Sequence, residues 1–442
     1  MKTMKFLKIA FGLAIVSLTF NGCTENFEEL NTRPDALVVS DVDDALLGQL
    51  FSNAQGRAMY LAPGGSTAGF QTAQSLFADL YSQYFSTTAT NFLSDRHTQV
   101  GGWSNGAWNY FYQQCAPAIK FVEDYTAEND MPLEHAVMKI WKVQAYHRIT
   151  DYWGPIIYTQ FGNGETSVGY DTQESIYKDF FVKLDEAVDV LKANPGAKAF
   201  ADDDQIFGGD VDSWVTFANS LRLRLAMRIK YAAPELAKAE AEKAVAAGVF
   251  ESNAEHAMIR TTDNSRNPYW IITDWGEFRM SALMESILVG YEDPRLEIYF
   301  SPTLDYTQKG TGEPYEGMRN GIPRVDLDQA ALNNAHSDMG TMFLNQARGG
   351  SSSGPPMRVL SAAEVYFLRA EGALESWAMG GTAEELYNKG IEMSLKEDRI
   401  AATDADVAAY IASNNTPVPT NDEYGTPASS DIPVPANPPW SA

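Results

Sequence analysis

The sequence predicts a mainly α-helical fold, with helices packed in pairs and long irregular loops between them. Three observations predict it. After residue 40, successive segments repeat apolar residues at three-to-four spacing, the period of an amphipathic helix. Four of these segments share one pattern: an apolar residue, two positions, then a small residue followed by a β-branched one. It stands at Cys115-x-x-Ala118-Ile119, Leu184-x-x-Ala187-Val188, Ala241-x-x-Ala244-Val245 and Tyr387-x-x-Gly390-Ile391. A small residue there lets a neighbouring helix come close, which makes the pairs tetratricopeptide-like. The copies are unequally spaced, so the array carries large insertions. Third, residues 61–69, 91–105, 250–276 and 293–354 show no helical period and are rich in aromatics and amides. Loops of such length inside a compact chain are uncommon and often functional.

In chain order, residues 1–22 form a lipoprotein signal peptide. Lys2, Lys5 and Lys8 make a positive start, and residues 6–20 are mostly apolar. That run is shorter than the roughly 20 residues a permanent membrane helix needs and fits a signal core. It ends at Asn21-Gly22-Cys23, a small residue before a cysteine, so Cys23 is the expected lipid acceptor. The alternative is an ordinary cleaved signal peptide with an incidental cysteine. Residues 23–40 open on the acidic Thr24-Glu25-Asn26-Phe27-Glu28-Glu29 and form a tether. A multiply acylated cysteine anchors far more firmly than one chain would.

Residues 41–413 form the folded body. Helices are predicted over 43–60, 72–85, 108–125 and 133–153. The last stops at Gly154-Pro155, where Gly permits the cap and Pro cannot continue the helix. Residues 174–192 set Ile176, Phe180, Leu184, Val188 and Leu191 on one face. Asp212 or Ser213 caps the next helix, which runs to residue 231 with Trp214, Phe217, Leu221 and Leu225 as its buried stripe. Helices over 234–247, 359–378 and 384–397 complete the set. Residues 414–442 are Pro-rich and read as an extended tail.

Composition narrows the function. The formal net charge is -25, and cleavage of residues 1–22 removes three lysines and no acid. A chain this acidic repels phosphate backbones, so no nucleic-acid partner is expected. With Cys23 assigned to lipid, Cys115 has no partner and is expected in the core. No catalytic motif stands out. The five histidines form no His-Glu-x-x-His site, and His147 is expected to be structural. Gly64-Gly65-Ser66-Thr67-Ala68 fails as a nucleophile elbow. Asp202-Asp203-Asp204 before Gly208-Gly209-Asp210 invites a calcium reading, but Ile206 stands where a ligating oxygen is needed. A solvated acidic turn is expected, with no metal and no cofactor.

The chain resembles the SusD/RagB family of Bacteroidetes outer-membrane lipoproteins. The residues that carry the likeness are the start at Cys23-Thr24-Glu25-Asn26-Phe27, the turn Tyr152-Trp153-Gly154-Pro155-Ile156, and Gly208-Gly209-Asp210-x-x-x-Trp214 with Phe217-Ala218-Asn219-Ser220-Leu221-Arg222. Asp293-Pro294-Arg295-Leu296 and Leu360-Ser361-x-x-Glu364-Val365 add to it. The resemblance implies tetratricopeptide-like helix pairs, a loop-rich half holding the ligand, and an outer-membrane location through a lipid anchor. It implies a SusC-like TonB-dependent transporter as partner, with a glycan, or in some members a peptide, as ligand. Family members usually continue past the Pro-rich region, whereas this chain stops at Trp440-Ser441-Ala442, so residues 414–442 read as a shortened family C-terminus.

Glycan capture needs aromatic rings on exposed loops, where they pack on the apolar faces of sugars while amides and carboxylates bond the hydroxyls. Trp103, in Gly101-Gly102-Trp103-Ser104-Asn105, fits this need, with Asn105 beside it. Tyr269, Trp270 and Trp275 form a second candidate cluster. The alternative for each is packing of loops onto helices. Trp108, Trp141 and Trp214 lie on helical stripes and are expected in the core, while Arg222 and Arg224 are expected to serve as ion-pair donors. Three functions follow: a glycan-delivering lipoprotein that is not an enzyme, a lipid-anchored glycoside hydrolase using a carboxylate pair, and a scaffold for other proteins.

Overall fold

The computed structural model describes residues 42–344 and 351–419. The signal peptide, Cys23 and the tether lie outside the described residues, as do the family-like residues of the start. The chain divides into two units, Met1–Leu47 and Gly48–Ala442. Of the first, residues 42–47 are described and contain the first turn of helix α1 (Asp44–Ala58).

The second unit is built on helices. After a short strand, β1 (Phe85–Thr87), come α2 (Gly101–Tyr110), α3 (Ala116–Glu128), α4 (Pro132–Trp153), α5 (Gln173–Lys192), α6 (Val211–Arg228) and α7 (Pro234–Ala247). Strands β2 (Ala257–Ile259) and β3 (Phe278–Met280) and helix α8 (Ala282–Gly290) follow. Strand β4 (Met357–Leu360) leads into α9 (Ala362–Leu374), α10 (Ala383–Leu395) and α11 (Asp404–Ala412). Helix α3 packs on α4, α4 on α5, α5 on α6, α6 on α7, and α9 on α10, so the fold is mainly helical and tetratricopeptide-like. No described helix is long and apolar enough to cross a membrane.

The small residues of the repeat do what their size permits. Ala187 and Ala244 are buried. At Gly390 of α10, an added Cβ would stand 2.7 Å from the Phe367 ring of α9, so that pair depends on the missing side chain. Trp141 and Trp214 are fully buried and meet edge to face, with ring centroids 6.4 Å apart. Their indole N–H groups donate to the Ala54 carbonyl (3.1 Å) and the Asp204 carboxylate (2.8 Å). Buried Arg222 pairs with Asp185 of α5 and Glu240 of α7, so one guanidinium ties three helices together. Arg224 bonds Glu364 of α9 (2.6 Å) and the Val359 carbonyl (2.8 Å). Both arginines are the ion-pair donors the sequence suggested. Cys115 is buried, donates its thiol to the Arg57 carbonyl, and has its pKa raised by burial. His147 is buried near the Val143 carbonyl, and burial with Arg224 and Arg228 nearby drives its pKa well down.

Several local expectations change. Residues 72–85 do not form one helix. The chain runs Ala68–Phe70, a π-turn Gln71–Ser75 and a short helix Ala78–Tyr81, then enters β1. The break falls at Phe77 (φ -125°, ψ -79°), next to buried Asp79 and its hydrogen bonds. The helix expected from residue 108 begins at Gly101, so Trp103 and Asn105 stand on α2 and not on an irregular loop. Two glycines hid that start because they disfavour a helix, and tertiary packing overrides the preference. A π-turn, Phe111–Cys115, separates α2 from α3 just before Pro117, which has no N–H to give to the preceding turn. The cap of α6 is Asp210, whose carboxylate accepts from Ser213 N at 2.9 Å, in place of Asp212 or Ser213. Residues 357–360 form β4, paired with β2, and Ser361 caps α9. Helix α8, α11 and the short helices Pro268–Ile272 and Gln329–Ala335 were not anticipated. Asp204 is buried, unlike a solvated turn. Its oxygens accept from Gln55, Ile206, Phe207, Gly209 and Trp214, all N–H donors.

Candidate ligand-binding face

The loop-rich half is organised by the pairing of β1 with β3, Phe85 opposite Met280 and Thr87 opposite Phe278. Thr88 extends this register, its N–H donating to the Glu277 carbonyl (3.0 Å) and its hydroxyl to the Gly276 carbonyl (2.7 Å). Buried Asp95 accepts from the Asn320 amide (2.6 Å) and Gly321 N–H (2.8 Å), which pins the turn around residues 93–97. Two segments almost 190 residues apart are thereby held side by side.

Phe92 is the hinge of the aromatic packing. Its ring stacks on Phe278 (5.8 Å) and meets Trp103 edge-on (5.9 Å). Trp103 also meets Phe77 edge-on (6.3 Å) and is half-buried. The structure thus brings the neighbourhoods of Trp103 and of residues 273–280 together through one phenylalanine. Asn105 is exposed on α2. Exposed Tyr81 stacks on His97 at 5.5 Å, the two planes 16° apart.

The second cluster divides. Trp275 closes the short turn Thr273–Trp275 and is 44% exposed. Tyr269 is packed edge-on against Phe70 and Phe343 and donates its hydroxyl to Asp79 (2.7 Å). Burial raises the pKa of both the Tyr269 hydroxyl and the Asp79 carboxyl. Trp270 donates its indole N–H to the Ser351 carbonyl (2.7 Å), and the Arg266 guanidinium lies over its ring at 4.7 Å. Tyr269 and Trp270 are both partly buried and both make contacts that fix loops to the body. Beside Trp275, its neighbours Asp274 and Gly276 line a cavity of about 330 Å³ together with Arg279, Ser301, Asn333 and His336. The Tyr81–His97 stack and this cavity carry no sequence signal, because their members come from separate segments with no shared periodicity.

Trp108 corrects another expectation. It is half-buried and outside the core, and packs against Tyr112, Trp153 and Tyr170.

Fold and loops together define a helical-repeat protein whose loop-rich half carries exposed aromatic side chains and a cavity of mixed lining. The chain belongs to the SusD-like family, described as "Susd and RagB outer membrane lipoprotein", whose model matches residues 29–441. It is similar to a chitin-binding SusD homologue from Flavobacterium johnsoniae at 35% identity, with a TM-score of 0.74 over 86% of this chain and 75% of that one. A SusD homologue from Bacteroides vulgatus is 33% identical, with a TM-score of 0.74 over 84% of this chain and 74% of that one. One from Bacteroides thetaiotaomicron is 28% identical, with a TM-score of 0.73 over 86% and 74%. No curated protein matches the chain.

Proposed function

We propose that this chain captures an oligosaccharide at the outer membrane and hands it to a SusC-like TonB-dependent transporter, without cleaving it. The observation that carries the reading is exposed Trp275, set in the chain between Asp274 and Gly276, which line a cavity with Arg279, Ser301, Pro302, Leu304 and Asn333. That is the pairing of an apolar ring face with hydrogen-bonding edges that a sugar requires. Trp103, Asn105, Tyr81 and His97 extend the same half of the molecule with rings and polar groups. Tyr269 and Trp270, partly buried in the same half, add two further rings to the candidate set. The family description and the chitin-binding relative support the ligand class. Lipidation of Cys23 would tether the body to the membrane, with residues 23–40 as spacer, residues 41–413 as the binding domain and residues 414–442 as a tail.

The test is calorimetry of the chain lacking residues 1–22 against a panel containing chitin, starch, cellulose and xylan oligosaccharides, with a reducing-end assay alongside. Binding to at least one glycan without new reducing ends is expected. Binding to peptides alone would overturn the sugar reading, and release of reducing ends would make the protein a glycoside hydrolase. Copurification of a barrel transporter with the lipidated chain tests the delivery step.

A further inference from the structure

The partly buried Trp108 belongs to a ring cluster that the site above does not use. Its ring lies 4.5 Å from Tyr112, 5.8 Å from Trp153 and 5.7 Å from Tyr170. Tyr112 continues to Phe161 (5.7 Å), and Trp153 to Tyr152 (5.3 Å). Six rings thus form one connected cluster, in which Tyr170 and Tyr152 are 60% and 44% exposed and the other four are partly buried. Trp108 follows Trp103 by five residues on the same helix, which turns it about 140° around the axis. The two tryptophans therefore face different directions.

The ring surface is held rigid. Residues 156 and 171 pair antiparallel and close the loop between them. The Asp171 carboxylate accepts from the N–H groups of Tyr158 (3.3 Å) and Thr159 (2.8 Å) and from the Thr159 hydroxyl (2.9 Å). The Tyr112 hydroxyl donates to the Ile157 carbonyl (2.8 Å), so one of the six rings is itself part of the clamp. Tyr170 precedes the clamping residue and is positioned by it. At the other end, Gly154 takes a positive φ of 72°, and its carbonyl accepts the Thr150 hydroxyl (2.6 Å), fixing the turn that carries Tyr152 and Trp153.

The chemistry of the rim selects the occupant. Besides the rings, the loop exposes Thr159, Gln160, Asn163, Glu165, Thr166 and Ser167, which are hydroxyls, amides and one carboxylate. The one aliphatic side chain between residues 159 and 170, Val168, is partly buried. Rings rimmed by small hydrogen-bonding groups match a neutral sugar chain, whose apolar faces pack on rings while its hydroxyls take the hydrogen bonds. We infer that Trp108, Tyr112, Trp153 and Tyr170 form a second glycan-contact surface, separate from the face around Trp275 and able to hold another stretch of the same polysaccharide. This inference rests on the glycan-binding reading proposed above.

The test uses the chain lacking residues 1–22 and a panel of chitohexaose, maltohexaose, cellohexaose and xylohexaose, together with the matching polysaccharide in affinity electrophoresis. Tyr170→Ala removes the most exposed ring, and Trp275→Ala removes the other face. The account expects Tyr170→Ala to weaken retention by the polysaccharide about fivefold or more, the effect of one aromatic contact, at an unchanged melting temperature. It expects the double variant to lose more than either single one. Trp108→Phe, which keeps a ring in the cluster, should lie between wild type and Tyr170→Ala. Retention of Tyr170→Ala within twofold of wild type would overturn the inference while leaving the Trp275 face standing. Unchanged glycan retention with loss of a copurifying transporter would make the surface a protein interface, and would overturn it too. If no hexasaccharide binds the wild type, both this inference and the glycan reading fall.

Discussion

Arg222 offers the sharpest test of how the helices are held. Its side chain is 2% exposed and pairs with Glu240 (15% exposed) and Asp185 (42% exposed). Arg222→Ala removes the only cation that the structure pairs with Glu240 among the described residues. Asp185 keeps Lys243, whose ammonium lies 2.6 Å away. The cost is therefore concentrated on one half-buried carboxylate, plus the void left beneath the Phe181 ring, over which the guanidinium sits at 5.9 Å. Breaking one side of a buried pair costs about 3–5 kcal/mol, and the partial exposure of Glu240 places this case near 3. For a body of this size, that is a melting-point drop of about 4 °C. Guanidinium unfolding followed by circular dichroism measures it. Arg222→Met with Glu240→Leu should recover most of the loss, since an apolar pair leaves no stranded charge. A loss below about 1 kcal/mol in Arg222→Ala, or no recovery in the double variant, would refute the three-helix tie.

Three further outcomes follow from the same structure. Burial pushes the Glu285 carboxyl up to about 8, while in the unfolded chain it ionises near 4.3. The folded chain binds the extra proton across that window, so stability falls as pH rises from about 5 to 8. Glu285→Gln should flatten this slope in melting curves, and an unchanged slope would discard Glu285 as its source. Tyr269→Phe strips a donor from buried Asp79 and should cost about 1–2 kcal/mol in denaturant unfolding with glycan affinity within twofold of wild type; lost binding at unchanged stability would move Tyr269 into the site. Trp103→Ala should lower stability by about 1–3 kcal/mol, because the ring packs on Phe77 and Phe92 as well as standing half-exposed. Weaker glycan binding at full stability would make Trp103 a contact residue alone.

The helical half was legible because its chemistry is local. The stripe Ile176, Phe180, Leu184 and Val188 turns with the helix period, and all four side chains are buried on α5. The terminators at Gly154-Pro155 and the starts near Pro132 and Pro234 are also local, and the helix ends fall within a residue or two of them. The loop half was not legible in this way. Trp103 looked like a loop residue because Gly101 and Gly102 disfavour a helix, yet its packing on Phe77 and Phe92 sustains one. Trp108 sat on an apparent apolar stripe, but its contacts are with Tyr112, Trp153 and Tyr170 at the surface. Tyr269 and Trp275, six residues apart, looked alike; one is fixed by Asp79, which lies 190 positions earlier, and the other is open to solvent. Pairing between β1 and β3 determines which ring faces the core, and no periodicity announces that pairing.

Sugar binding by the exposed Trp275 ring is what the proposed function stands on. Calorimetry of wild type and Trp275→Ala with the tightest oligosaccharide of the panel tests it most directly. The account predicts measurable binding for wild type and a loss of about 0.5–1.5 kcal/mol for the variant, or roughly two- to twelvefold in Kd, at an unchanged melting temperature. Equal affinity in the two proteins would contradict it.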